Sequence, residues 1–231
     1  MKITFYGHST FRIVTPEGIK ILIDPWLDNP LAPEQKDIGP YDIVLITHAH
    51  GDHLGNVLEI ARSAATEVIA IHEIQQFLLA QGLPNVTGMN IGGSYRTKGL
   101  TITMVQAVHS SSIQTNNSII YGGDPAGFVV RLEDGRAIYH AGDTGLFYDL
   151  SLIGELYHPD VAMLPIGDHY VMGPREAAKA CALLKPKVVI PMHYGTFPLL
   201  TGTPEAFAKY LQEMAPEVVL RVLNPGESVQ F

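Results

Sequence analysis

Between residues 48 and 53 the chain reads His-Ala-His-Gly-Asp-His, three imidazoles and a carboxylate within six positions. Neutral imidazole and ionised carboxylate are the usual ligands of zinc and its first-row neighbours. The stretch follows "DIVLIT" (42–47), a nearly continuous apolar run of the kind expected for a strand buried on both faces. His48 and His50 lie two apart, so from an extended segment they point the same way. Gly51 is expected to turn the chain, so that Asp52 and His53 face the same cavity from the other side. Four donors placed this way cannot close on a single ion, so two ions are expected, with further ligands from elsewhere. His109 after "LTITMVQAV", Asp143 in "HAGDTG" and His193 in "PMHYG" each end an apolar run beside glycine or a polar loop. Binding residues of layered folds concentrate at such places.

This pattern, in this order and covering essentially the whole chain, resembles the metallo-β-lactamase superfamily of binuclear hydrolases. The resemblance implies an α/β fold, an αββα four-layer sandwich of two mixed β-sheets flanked by helices, with the metals at one edge of the sheets. It also implies that His48, His50 and His109 hold one ion, that Asp52, His53 and His193 hold the other, and that Asp143 bridges them. Asp24, ending "IKILID", matches the family's early aspartate, which supports the ligand loop through hydrogen bonds. More narrowly, "GHSTF" (7–11), "ILIDPWL" (21–27), "GGDPAGF" (122–128) and "PIGDHYVMGP" (165–174) resemble a branch known only as metal-dependent hydrolases. That branch is similar to the ascorbate-6-phosphate lactonases and, more distantly, to N-acylphosphatidylethanolamine phospholipase D. His50 stands where the flavin-partnered diiron oxidoreductases of the superfamily carry Glu, which argues against oxygen reduction.

The implied chemistry is hydrolysis of a phosphodiester, lactone or other ester of a small metabolite. Two ions about 3.5–4 Å apart can share a water and lower its pKa, giving a metal-bridged hydroxide. Zinc is the expected ion, with manganese, iron or nickel as alternatives on ligands this generic. Asp52 is expected to orient the nucleophile as well as to bind metal. His8, at the end of the first strand, is expected at the mouth of the site, binding substrate or protonating the leaving group. Asp168 and His169 follow an apolar strand and are expected to meet the substrate. An iron-dependent redox protein and a non-catalytic metal-binding protein on the same scaffold are the competing readings. The remaining histidines read as structural: His72 at a helix start, His140 packed within a strand, His158 in an exposed turn. Tyr194 reads as a packing residue.

These residues need a scaffold that delivers strand ends to one place. Strands are expected at about 2–6, 10–14, 19–23, 42–47, 67–71, 86–91, 100–107, 127–132, 136–141, 160–164, 187–191 and 217–223. Helices are expected at about 54–63, 73–81, 149–156, 174–183 and 204–214. The polar, glycine-rich segment 109–127 reads as a long functional loop. No linker or repeat divides the chain, so residues 1–231 are expected to form one domain.

The chain's 231 residues are 46% hydrophobic and 16% charged, which excludes disorder. No apolar run reaches the roughly 18 residues of a membrane span, and the strand-like start lacks a signal peptide's apolar block. A cytoplasmic protein with no membrane partner is expected. The lone Cys181 fits a reducing compartment and falls in an apolar helical run, as a core residue would. A net charge of −8 with no basic cluster argues against nucleic acid and for a small-molecule substrate. Apolar residues such as Trp26 and Leu27 hint at association into a homo-oligomer.

Overall fold

The first strands are short alternating or apolar runs joined by tight turns, so they pair with their sequence neighbours. β1 (Lys2–Phe5), β2 (Phe11–Val14) and β3 (Lys20–Ile23) form an antiparallel meander. β4 (Ile43–Leu45) then pairs parallel to β3. The helical turns α1 (Gly51–Leu54) and α2 (Val57–Ile60) lead to β5 (Glu67–Ile71), parallel to β4. α3 (His72–Ala80) carries the chain back to β6 (Val86–Met89), parallel to β5. β4 and β5 are buried along their whole length, as their apolar runs, broken only by Glu67 at the start of β5, require.

The second half repeats this scheme. β7 (Ser94–Thr97) and β8 (Leu100–Gln106) form a hairpin. β9 (Ser112–Gln114) and β10 (Ile119–Tyr121) make a separate small hairpin. β11 (Ala126–Arg131) pairs antiparallel with β8 and with β12 (Ala137–His140). After α4 (Leu150–Tyr157) come β13 (Val161–Pro165), α5 (Pro174–Leu184), β14 (Val188–Met192), α6 (Pro204–Met214) and β15 (Val219–Leu220), the strands now parallel. The last strand, β16 (Ser228–Gln230), returns to the first sheet beside β1. This computed structural model describes residues 1–37, 39–115 and 117–231.

Two seven-stranded mixed sheets result, in the orders β16-β1-β2-β3-β4-β5-β6 and β15-β14-β13-β12-β11-β8-β7. Phe11 from one and Phe128 from the other are fully buried in a shared apolar core. On the second sheet α5 packs between α4 and α6, and its Ala177, Ala178, Cys181 and Leu184 are buried. Pro204 opens α6 while Thr203 Oγ1 accepts from Ala206 N at 3.2 Å. The expected αββα sandwich is the observed one. Among the described residues no helix is long and apolar enough to cross a membrane.

Pairing directions explain where a site can form. β1, β3 and β4 run the same way, so their C-terminal ends share one edge of the first sheet. β8, β12, β13 and β14 also run together, and their C-terminal ends share one edge of the second. Backbone hydrogen bonds join the two edges: Ala126 N donates to Thr47 O at 3.0 Å and His193 N to His8 O at 2.7 Å.

Several expected elements differ. The helix expected at 54–63 begins at Gly51 and breaks at Gly55, whose φ of 43° and contact with the Pro25 and Trp26 backbone leave no room for a Cβ. Gly51, expected to turn the chain, does so as the first residue of α1. The long loop expected at 109–127 contains the β9–β10 hairpin, and its position 116 lies outside the described residues. β7 and β16 carry no strong alternation and were not anticipated, and the strand expected at 217–223 shrinks to two residues. Leu27 is buried, 3% exposed, so it offers no surface for association.

Candidate metal centre

Every candidate residue sits just past a strand end on the joined edges. His48 and His50 follow β4, His53 lies in α1, His109 follows β8, Asp143 follows β12 and His193 follows β14. Asp143 Oδ2 is the hub: it lies 2.9 Å from His193 Nε2, 3.3 Å from His53 Nε2, 3.6 Å from His109 Nε2 and 3.9 Å from His48 Nε2. Ligand atoms of His48, His50 and His109 all lie within 4.8 Å of one another, as do those of His8, Asp52, His53 and His193.

Hydrogen bonds fix which ring atoms face inward. Asp24 accepts from Thr47 N and Thr47 Oγ1, each at 2.8 Å, and from His53 Nδ1 at 2.7 Å. With its proton on Nδ1, His53 turns the Nε2 lone pair towards Asp143, itself an acceptor. Thr47 Oγ1, its hydrogen given to Asp24, accepts from His48 Nδ1 at 3.1 Å, leaving His48 Nε2 without a proton and accepting from His50 Nδ1 at 2.9 Å. One buried carboxylate therefore sets the tautomers of a ligand in each cluster. His140, as expected, is structural: its Nδ1 accepts from Gly142 N and its Nε2 donates to Ser9 O.

The residues present fit divalent ions. His53 Nε2, buried without a hydrogen-bond partner, faces Asp143 Oδ2 at 3.3 Å, and His193 Nε2 faces the same oxygen at 2.9 Å. Lone pairs converging on a buried carboxylate oxygen with nothing between them repel, and a cation removes that repulsion. Burial holds His48, His50 and His109 below the ordinary imidazole range, in the neutral form that ligates. His53 goes the other way. Burial alone would lower it, but Asp143 and Asp24 outweigh that and hold it well above the ordinary range. Asp143 is held well below the carboxylate range by His193 and His53 against the effect of burial.

The backbone is strained where these side chains are aimed. His8, Asp24 and His193 have φ of 54°, 48° and 56°, a left-handed conformation uncommon outside glycine. Each costs on the order of 1–3 kcal/mol and persists because the surroundings over-determine it. Gly122 touches Ala49, between His48 and His50, closely enough to exclude any larger residue.

Three expected placements are corrected. His8 is not at the mouth: it is fully buried behind Asp52, with Nε2 donating to Asp52 Oδ2 at 3.1 Å and Nδ1 accepting from Thr196 Oγ1 at 2.9 Å. Burial lowers its pKa to about 4, only partly offset by the Asp52 hydrogen bond. The same bond, with His53, outweighs burial at Asp52 and holds that carboxyl below its ordinary range. Asp168 and His169 do not line the cavity. Both are exposed in left-handed conformations, φ 66° and 57°, and this double turn carries the next side chain, Tyr170, to the cavity instead. The cavity, about 360 Å³, is lined by His50, Asp52, His109, Asp143 and His193 together with Ser110, Tyr170 and Phe197. Neither Phe197 nor Thr196 carries a sequence signal; Tyr170 lies inside the conspicuous "GDHYVMGP" stretch, directly after His169.

Comparison with known proteins agrees with this geometry. Residues 20–194 match the family described as the β-lactamase superfamily domain. A metal-dependent hydrolase of Rubrobacter xylanophilus is 50% identical, over 99% of this chain and 96% of that protein. One of Methanopyrus kandleri is 48% identical over the full length of both. The solved structure of Igni18, a metallo hydrolase of the archaeon Ignicoccus hospitalis, superposes with a TM-score of 0.87 at 41% identity, covering 100% of this chain and 97% of that one.

Proposed function

The chain belongs to the β-lactamase superfamily and is a metal-dependent hydrolase, and on that premise we propose that it works with two divalent ions on a small ester, lactone or phosphodiester. The observation that carries the binuclear reading is the pair of ligand clusters meeting at one buried oxygen, Asp143 Oδ2. His48, His50 and His109 would hold one ion, Asp52, His53 and His193 the other, and Asp143 would contact both. Zinc suits the donor set, as do manganese, iron and nickel. Bound there, the ions supply a water of lowered pKa and polarise the oxygen under attack.

The chain's own residues do the positioning. Asp24 locks the rings of His48, through Thr47, and of His53, so both clusters are ordered before an ion arrives. His8 donates to Asp52 and fixes that carboxylate, which orients the attacking water. His8 acts as a positioning residue, since no surface of it reaches solvent. Tyr170 and Phe197 receive the substrate and narrow the approach to the clusters.

Elemental analysis of protein loaded with zinc or manganese is expected to give about two ions per chain, with hydrolysis rising as the second is bound. A limit of one ion after saturating exposure, with full activity, would remove the binuclear reading.

A further inference from the structure

We propose that the substrate presents an uncharged aromatic or apolar group to Tyr170 and Phe197 and bears no anionic handle away from the scissile bond. This rests on the hydrolytic reading above and narrows its substrate class to aryl or alkyl esters and lactones whose non-reacting part is neutral.

Two observations carry it. The first is the aromatic part of the cavity lining, beside the ligands. Phe197 stacks on Trp26, ring centroids 5.9 Å apart and 27° between planes, and the buried His8 ring meets it edge-on at 5.7 Å. A ring held this way from behind offers a rigid apolar face, against which offset or edge-on aromatic contacts are favourable. Tyr170, 51% exposed, approaches from the loop after β13 and lines the same cavity. About 360 Å³ is within the range of small-molecule sites.

The second is charge. Among the described residues lining the cavity there is no lysine or arginine, and the only polar one besides the ligand residues and Tyr170 is Ser110. The carboxylates of Asp52 and Asp143 offset half the charge of two divalent ions, and an ionised water takes up one charge more. What remains balances a single negative charge developing at the scissile group. A phosphate monoester elsewhere on the substrate would be desolvated with no cation to meet it, which is costly. A phosphorylated lactone, which the resemblance to ascorbate-6-phosphate lactonases would imply, therefore does not suit this cavity. The reaction needs only water: the acyl carbon gains its oxygen, the C–O bond breaks, and the leaving oxygen takes the proton.

The test uses the full chain loaded with zinc or manganese. Binding of 3-phenylpropionate and 3-sulfopropionate is measured by calorimetry; they share a carboxylate head and differ in an aromatic or anionic tail. The aromatic tail is expected to bind about 10- to 100-fold tighter, the worth of burying a phenyl-sized group. Tyr170→Ala and Phe197→Ala should each erase much of that preference while metal content stays the same. In parallel, phenyl-substituted and phosphorylated γ-lactones are compared by kcat/KM, and the phenyl compound is expected to lead. Equal or tighter binding of the sulfonate, or a preference that survives both variants, overturns the inference. Turnover that favours the phosphorylated lactone also overturns it but leaves the hydrolytic reading intact. Absence of turnover on every ester, lactone and phosphodiester probe would count against the hydrolytic reading instead, and the calorimetric comparison still decides the inference.

Discussion

The floor and the rim of the cavity meet within one site yet are built in opposite ways. On the floor His8, Asp24, His48 and His53 expose nothing and Asp143 exposes 3%. Their polar atoms bond to one another or converge on the place an ion would take. Three of the strand-end residues there hold strained left-handed backbones. At the rim Tyr170 is 51% exposed and Phe197 is half-buried. The contrast separates chemistry from choice of substrate: a floor fixed by many mutual contacts tolerates little change, whereas a rim with few contacts can vary at small cost to the fold.

The largest effect is expected from the hub. Asp143→Ala should lose at least one ion and lower turnover by about 10³-fold or more, because the lowered pKa of the attacking water goes with it. Retention of two ions and near-normal turnover would show that the floor does not depend on the shared oxygen.

Asp24→Ala should come next, acting on both clusters although Asp24 belongs to neither. It leaves the buried donors Thr47 N, Thr47 Oγ1 and His53 Nδ1 unmet, at about 1–3 kcal/mol for each buried group left unsatisfied. A lowered denaturation midpoint in chelator-treated protein, together with weaker affinity for both ions, is the expected outcome. Loss at one site alone would restrict its role to His53.

His8→Ala should be milder, lowering second-ion affinity or turnover by about 10–100-fold, the usual effect of losing a partner to a ligand. His8→Gln, whose amide can donate to Asp52, should restore part of the loss. If loss depended on the leaving group and Gln gave no rescue, His8 would be a proton donor rather than a positioning residue.

The smallest effect is a pH slope in the metal-free protein. His8 titrates near 4 when folded against an ordinary 6.5, so between these values the unfolded chain binds the proton first. Stability present above about pH 6.5 should therefore fade as pH falls towards 4. His48, His50, His109 and His140 are lowered by burial and act in the same sense. His53, raised, acts oppositely: its contribution is present below about pH 6.5 and is lost as pH rises through its folded value. Urea midpoints measured across this range on chelator-treated protein should fall on acidification, and less steeply in His8→Gln. A flat profile would mean that the floor is open to water without its ions.

Much of the floor was legible in the sequence, because its residues are of types that do chemistry and follow apolar runs that reveal strand ends. The cluster from His48 to His53 needs no partner to be noticed, and His109, Asp143 and His193 each close such a run. Strand and helix positions followed from hydrophobic period, which a buried face imposes on its own segment. What only the tertiary structure decided depends on contacts between distant segments and on single left-handed residues, neither of which leaves a periodic trace. The His193 N to His8 O bond draws His8 inward behind Asp52, away from the mouth. The paired turn at Asp168 and His169 delivers Tyr170 to the cavity. Asp24 holds His53 directly but reaches His48 only through Thr47, a residue whose type announces nothing. Local pattern reports what a residue can do; direction and partner are set by backbone torsions and long-range packing, which exist only once the two sheets have met.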